Sequence, residues 1–157
     1  MEQEEFARRI EMLRGKLYRI AVMTLGSEAD ALEAVDEAVY QGLRALKQLR
    51  EPAFFETWLI RILINACHKE LRRRKHFHMG GEEALPETAG PDAYDSLPLR
   101  EAVRRLPENL RNVVILRFFA GLSQAETAES LQIPQGTVAT RQRRALQLLR
   151  LELGEED

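Results

Sequence analysis

Residues 122–149, LSQAETAESLQIPQGTVATRQRRALQLL, admit few folds. They read as two helices separated by a tight turn. Ser123 is placed to cap the first helix, and Glu126 three residues later completes a capping box. Ala125, Ala128 and Leu131 give that helix a narrow apolar stripe. The pattern breaks over 131–136, where Pro134, with no N–H to donate and a preset φ, suits the start of the next helix. The second helix carries Val138, Ala145, Leu146 and Leu149 on one side. At about 100° per residue, Thr140, Arg143, Arg144 and Gln147 face the other way, flanked by Thr137 and Arg141. One helix props while the next presents Thr, Arg and Gln outward, the layout of a helix-turn-helix whose second helix enters the DNA major groove. A helical hairpin with a solvated basic face has the same pattern, so this stretch alone leaves both readings open.

The totals narrow the classes. With 157 residues the chain forms one domain or two small ones. No apolar run approaches a membrane span, and the acidic start MEQEEF is not a signal peptide. The single cysteine, Cys67, has no partner for an internal disulfide and fits a reducing cytoplasm as a buried, inert thiol. A net charge of −2 argues against a protein that merely coats DNA, but the charges are unevenly placed. Residues 79–96 hold Glu82, Glu83, Glu87, Asp92 and Asp95 and no base; with five of the 25 acids there, the rest of the chain carries 20 acids against 23 bases. Bases cluster at Lys69, Arg72, Arg73, Arg74 and Lys75, and again at Arg141, Arg143 and Arg144.

Helical spacing runs through both ends of the chain. Phe6, Ile10, Leu13, Leu17, Ile20 and Ala21 predict a helix over 3–25, closed by Gly26. Ser27, with Asp30 three residues on, opens a second helix over 27–50 whose expected core stripe is Leu32, Val35, Val39, Leu43, Leu46 and Leu49. Its other side carries Glu28, Asp30, Glu33, Asp36 and Glu37. Acids in the first turn complement the helix dipole, but Asp36 and Glu37 lie beyond its reach and suit a basic partner surface. After Glu51-Pro52-Ala53, a third helix over 54–75 offers Phe55, Trp58, Leu59, Ile62, Leu63 and Ala66 to a core. His68, His76 and His78 have no Cys or acid cluster at ligand spacing, so no metal is expected.

Residues 79–96, MGGEEALPETAGPDAYDS, have no helical period and read as an acidic flexible linker that reaches roughly 60 Å when extended. Beyond it, Leu99, Ala102, Val103 and Leu106 predict one short helix. Leu110, Val113, Val114 and Leu116 line the next, with Pro107 at its start and Gly121 at its end. The expected fold is all-α: a three-helix bundle over 1–78, the linker 79–96, and a helix-turn-helix domain over 97–157.

Two motifs in order carry a family resemblance. LYRIAVMTLGSEADALEAVDEAV at 17–39, followed by FFETWLIRILINACHKELRRR at 54–74, resembles region 2 of a bacterial sigma factor of the extracytoplasmic-function group in the sigma-70 family. LPENLRNVVILRFFAGLSQAETAESLQIPQGTVATRQRRAL at 106–146 resembles region 4. The pair spans nearly the whole chain. Such a protein binds core RNA polymerase, recognises the −10 and −35 promoter elements, helps open the duplex, and catalyses no covalent chemistry.

The resemblance assigns roles. The helix at 27–50 would dock on the polymerase clamp helices, with Asp30, Glu33, Asp36 and Glu37 facing basic groups that set orientation and on-rate. The helix from Phe54 would read the −10 element. A base leaving the stack needs a pocket, and 51–55 is placed to form it. Phe54, Phe55, Trp58, Arg61, Asn65, Lys69, Arg72 and Arg73 are its candidate readers, with Trp58 divided between core and stacking platform. Thr137, Thr140, Arg141, Arg143 and Arg144 would read the −35 element, Arg141 and Arg144 on the family's arginine positions. Arg143 suits either a guanine edge or a phosphate.

The chain departs from the family at several places. Ala34, Asp36 and Val39 stand where a larger apolar residue, glutamine and phenylalanine are common. Ala139 replaces a frequent lysine, and Gln132 a frequent glycine, which demands an unusual φ at the turn. No cofactor and no small-molecule substrate is expected. The family implies a third partner, an anti-sigma factor, often membrane-anchored, that would hold this cytoplasmic protein at the inner face of the membrane. A stand-alone helix-turn-helix regulator is the alternative, but residues 1–78 carry the polymerase pattern rather than a dimerisation or sensing module. A helical adaptor that binds proteins only would leave the outward Arg and Thr unexplained.

Overall fold

The computed structural model describes residues 1–77 and 97–154, and the chain divides into two compact units. The acidic stretch 79–96 and His78 lie outside the described residues. Among those described there is no strand.

The first unit is three helices: α1 Gln3–Leu25, α2 Glu28–Arg44 and α3 Phe55–Phe77. Gly26 ends α1 in the left-handed region at φ 75°, where a side chain would be strained. Ser27 caps α2 by accepting the Asp30 N–H at 3.2 Å. All three helices feed one core: Phe6, Leu17 and Ile20 from α1, Ala31, Val35 and Ala38 from α2, and Phe55, Leu59 and Leu63 from α3. Phe6 meets Phe55 edge to face, with centroids 5.7 Å apart.

Two expectations for α2 are corrected. The helix stops at Arg44, and a 3-10 turn over Leu46–Gln48 swings Leu46 into the core. The buried face is also only in part the expected stripe: Val35 and Leu46 are buried, but small residues make up the rest of it. Ala31, Ala34, Val35, Ala38 and Gly42 face inward, while Leu32 is 56% and Leu43 40% exposed. The reason is closeness of approach: a Cβ on Gly42 would lie 2.9 Å from Leu59 Cδ1. Small residues let α2 lie against its neighbours, and the large ones are left on the outside.

The second unit holds α4 Leu97–Arg105, α5 Glu108–Val114, α6 Gln124–Leu131 and α7 Gln135–Glu152. A π turn over Ile115–Phe119 extends α5, and Gly121 at φ 75° turns the chain toward α6. Val103, Val113, Leu116, Leu122, Val138 and Ala145 form the core. In α6 the expected stripe is displaced: Ala125 is exposed, and Thr127 and Ser130 are fully buried. The capping box fixes the rotation of this short helix. Ser123 Oγ accepts the Glu126 N–H at 3.0 Å, and Glu126 Oε1 accepts the Ser123 N–H at 2.8 Å.

Candidate functional site

The outward face of α3 is one continuous row. Trp58, Arg61, Asn65, Lys69 and Arg72 recur at three- and four-residue steps, so they share a face of the helix. Asn65, Lys69 and Arg72 are exposed, and Arg61 is half-buried. Trp58 is half-buried and tilts against Phe55 at 6.0 Å, so it is both core and surface. Phe54, 50% exposed, stands at the head of the row. His76, weighed in the sequence only as a metal ligand, is exposed on the same face, where the 3.6-residue period places it.

Two of the expected readers are displaced from this row. Phe55 is only 2% exposed and packs on Phe6, so it supports the surface without reaching a base. Arg73 is drawn sideways by Glu70, which accepts from its Nε at 2.9 Å and its Nη2 at 2.8 Å; its guanidinium also covers the Phe77 ring at 5.4 Å. The hydrogen bond from Arg73 is the main cause that holds the Glu70 carboxyl below its usual range.

The acids of α2 separate in a similar way. Asp30 is ion-paired to Arg74 within the bundle. Glu33, Asp36 and Glu37 are exposed, with Arg14 3.9 Å from Asp36 and Gln41 donating to Glu37 at 2.7 Å. Leu32, Asp36 and Leu43 are exposed along one line of α2, with Val39 half-buried between them. A groove of about 500 Å³ runs between α2 and α3, lined by Glu33, Asp36 and Glu37 on one side and Lys69, Glu70 and Arg73 on the other.

In the second unit α6, the turn and α7 have the expected geometry. Gln132 takes φ 60° and ψ 47°, the left-handed conformation that the missing glycine would favour. Pro134 precedes α7 at φ −65°. Thr140, Arg143 and Arg144 are exposed on α7, with Thr137 and Arg141 half-buried beside them. None of the three arginines forms an ion pair among the described residues, which leaves their charge available.

A Sigma-70 region 2 family model matches residues 9–77, and a Sigma-70 region 4 model matches 96–149. RNA polymerase sigma factor SigV of Bacillus subtilis strain 168 is 32% identical over 142 residues, covering 89% of this chain and 86% of the relative. This chain belongs to the sigma-70 family, in its extracytoplasmic-function group. ECF RNA polymerase sigma factor SigM of Mycobacterium tuberculosis strain H37Rv is 33% identical over 141 residues, covering 88% of this chain and 72% of the relative. The fold matches the sigma factor RpoE in a co-crystal structure with the anti-sigma factor NepR from Bartonella quintana. That match has a TM-score of 0.83 at 19% identity and covers 98% and 99% of the two chains. CnrH, solved with the cytosolic domain of CnrY, matches at a TM-score of 0.77 and 22% identity, covering 98% of this chain and 90% of that one.

In the second unit, Arg117 braces α7 from behind. Arg117 Nε donates to Gln142 Oε1 on α7 at 3.0 Å, and its Nη1 donates to the Leu122 carbonyl ahead of α6 at 2.7 Å. Gln124 Nε2 donates to the same Gln142 oxygen at 3.4 Å. One guanidinium thus ties the approach to α6 to the middle of α7. Cys67 lies buried in α3 with its thiol pushed up to about 12 by desolvation, so it stays protonated and unreactive. Among the described residues no cluster of His, Cys, Asp and Glu is arranged to hold a metal, and no helix is long and apolar enough to cross a membrane.

Proposed function

We propose that this sigma factor docks on core RNA polymerase through the outer face of α2, reads the −10 element with α3 and the loop before it, and reads the −35 element with α7. The observation that carries the reading is the division of labour between adjacent helices. α2 turns Leu32 and Leu43 outward, with Val39 half-buried between them and Glu33, Asp36 and Glu37 around them, a mixed apolar and acidic face suited to a basic protein groove. α3 turns Arg61, Asn65, Lys69 and Arg72 outward, a basic face suited to DNA. Asp30, committed to Arg74, leaves the docking set, and Phe55 and Arg73 act as supports. Phe54 and Trp58 offer the stacking surface at the head of α3, where an extruded base would lie. On α7, Thr137 and Thr140 reach phosphates, while Arg141, Arg143 and Arg144 divide phosphate and base-edge contacts.

An anti-sigma factor is the third partner in this reading. A protein covering Leu32 and Leu43 would exclude the polymerase, and the sigma factor RpoE, of like fold, solved with the anti-sigma factor NepR, supports a partner of this class. A membrane-anchored version would hold the protein at the inner face of the membrane. The acidic stretch 79–96 would act as the tether between the two readers.

Reconstitution tests the reading directly. With core polymerase, the protein is expected to initiate from a subset of a template pool randomised over two upstream elements, and Glu37→Lys is expected to weaken its pull-down of core. Sequence-selective DNA binding without polymerase, together with no initiation, would establish a stand-alone regulator instead.

A further inference from the structure

The segment that would cradle the extruded −10 base, 51–54, is tied locally only at its far end, where Thr57 Oγ1 donates to the Phe54 carbonyl at 3.3 Å. Glu51, Pro52, Ala53 and Phe54 are all exposed, so no side chain of the loop is buried to hold it. Its backbone forms a single 3-10 turn over Pro52–Phe54, with the Phe54 N–H donating to the Glu51 carbonyl at 2.9 Å. Such a turn is short and weakly determined by itself. A pocket that distinguishes bases needs its walls held to about half an ångström.

The anchor at Pro52 comes from α1. Arg9 Nη1 donates to the Pro52 carbonyl at 2.9 Å across 43 residues of sequence. Its Nη2 pairs with Glu5 at 2.9 Å, one turn earlier on the same helix. The guanidinium carbon sits 5.6 Å from the centroid of the buried Phe55 ring. Glu5 and the ring face fix where the guanidinium lies, and its Nη1 fixes the loop. Close by, Lys16 Nζ pairs with Glu56 Oε2 at 2.5 Å, a second tie from α1 to the start of α3.

We propose that Arg9 is a positioning residue for −10 recognition: it holds the Pro52 carbonyl, and through it the Phe54 platform, in the conformation that selects the extruded base. This rests on reading 51–54 as the base pocket. A lysine has one charge centre and cannot bond the carbonyl, pair with Glu5 and lie flat on the ring together. Arg9→Lys is therefore expected to keep the ion pair and lose the alignment.

The test uses the full chain with core polymerase and a template pool randomised over the −10 element, with initiated templates sequenced. The readout is the enrichment of the preferred base over the others at each position. Losing one charge-assisted hydrogen bond predicts that Arg9→Met lowers this ratio about tenfold at the extruded base. Arg9→Lys should fall in between, and both should leave core affinity and −35 preference unchanged. Phe54→Ala separates the proposal from the reading beneath it. If Phe54→Ala flattens the preference and neither Arg9 variant does, the pocket stands and the role of Arg9 is overturned. If none of the three changes the preference, the pocket assignment fails and takes the proposal with it. A loss of thermal stability and of core affinity in Arg9→Lys equal to its loss of selectivity would make Arg9 an ordinary structural residue and also overturn the proposal.

Discussion

Arg74 on α3 is ion-paired to Asp30 in the first turn of α2, and its Nη1 donates to the Leu25 carbonyl at the end of α1 at 2.9 Å. Its Nε reaches Glu70 at 3.4 Å. One side chain therefore closes the corner where all three helices of region 2 meet. It answers a carbonyl left open at a helix end and supplies a counter-charge to an acid at a helix start.

Arg72 and Arg74 should consequently behave in opposite ways. Arg74→Met is expected to destabilise region 2 by about 1–2 kcal/mol, the value of charge-assisted bonds reduced for partial exposure. Arg72→Ala should leave the unfolding midpoint where it is and weaken promoter binding. Denaturant melts beside promoter titrations check the pair; a wild-type midpoint in Arg74→Met would contradict the clasp.

Glu70 gives the same corner a pH dependence. The hydrogen bond from Arg73 lowers its carboxyl from the ordinary value of 4.5; burial opposes this, and the charges of Arg73 and Arg74 add to the lowering. A carboxyl with a depressed folded-state value stabilises the fold fully above about 4.5, and that stabilisation is lost as the pH falls through the lower folded-state value. The acid side of the stability profile should therefore be shallower in Glu70→Gln than in the wild type. Chemical melts from pH 6 down to pH 3 measure it, and parallel profiles would remove Glu70 from the account.

The sequence showed the helices and their caps because those are local. Ser123 and Glu126 are three residues apart, Gly26 ends α1 where the periodicity stops, and Gln132 fills a turn position that favours glycine. It misled on which face of α2 is buried. Leu32, Val39 and Leu43 repeat with the helix, but so do Ala31, Ala34, Ala38 and Gly42, and periodicity does not say which of two stripes lies inside. Only the proximity of Leu59 and Phe6 to Gly42 decides it, and that contact joins distant parts of the chain. The same limit explains the neighbours in α3. Phe54 and Phe55 differ by one residue and Arg72 and Arg74 by two, yet one of each pair is exposed and the other engaged, because their partners Phe6 and Leu25 are far away in sequence.

Gln132 is the only non-glycine residue with positive φ among those described. Holding an ordinary residue there costs about 1–2 kcal/mol, and glycine returns part of that gain through its more flexible unfolded chain. Gln132→Gly is thus expected to stabilise region 4 by about 0.5–1 kcal/mol, with the recognition helix unmoved. Thermal melts measure the gain; a loss of stability would mean that the Gln132 side chain has a partner that outweighs the strain.

Arg117 distinguishes holding the reader from being the reader. It ties Gln142 to the Leu122 carbonyl, while Arg144 stands exposed on α7. Arg117→Met loses both bonds, and should weaken −35-dependent promoter binding by the holoenzyme about tenfold through the loss of the one that reaches α7. Because no phosphate contact is removed, the dependence of affinity on salt should be the same as in the wild type. Arg144→Ala removes a contact to DNA, and its salt slope should fall by about one if that contact is to phosphate. Promoter titrations across a salt series separate the two effects. A reduced slope for Arg117→Met would place its guanidinium on the DNA and remove its role as the brace behind α7.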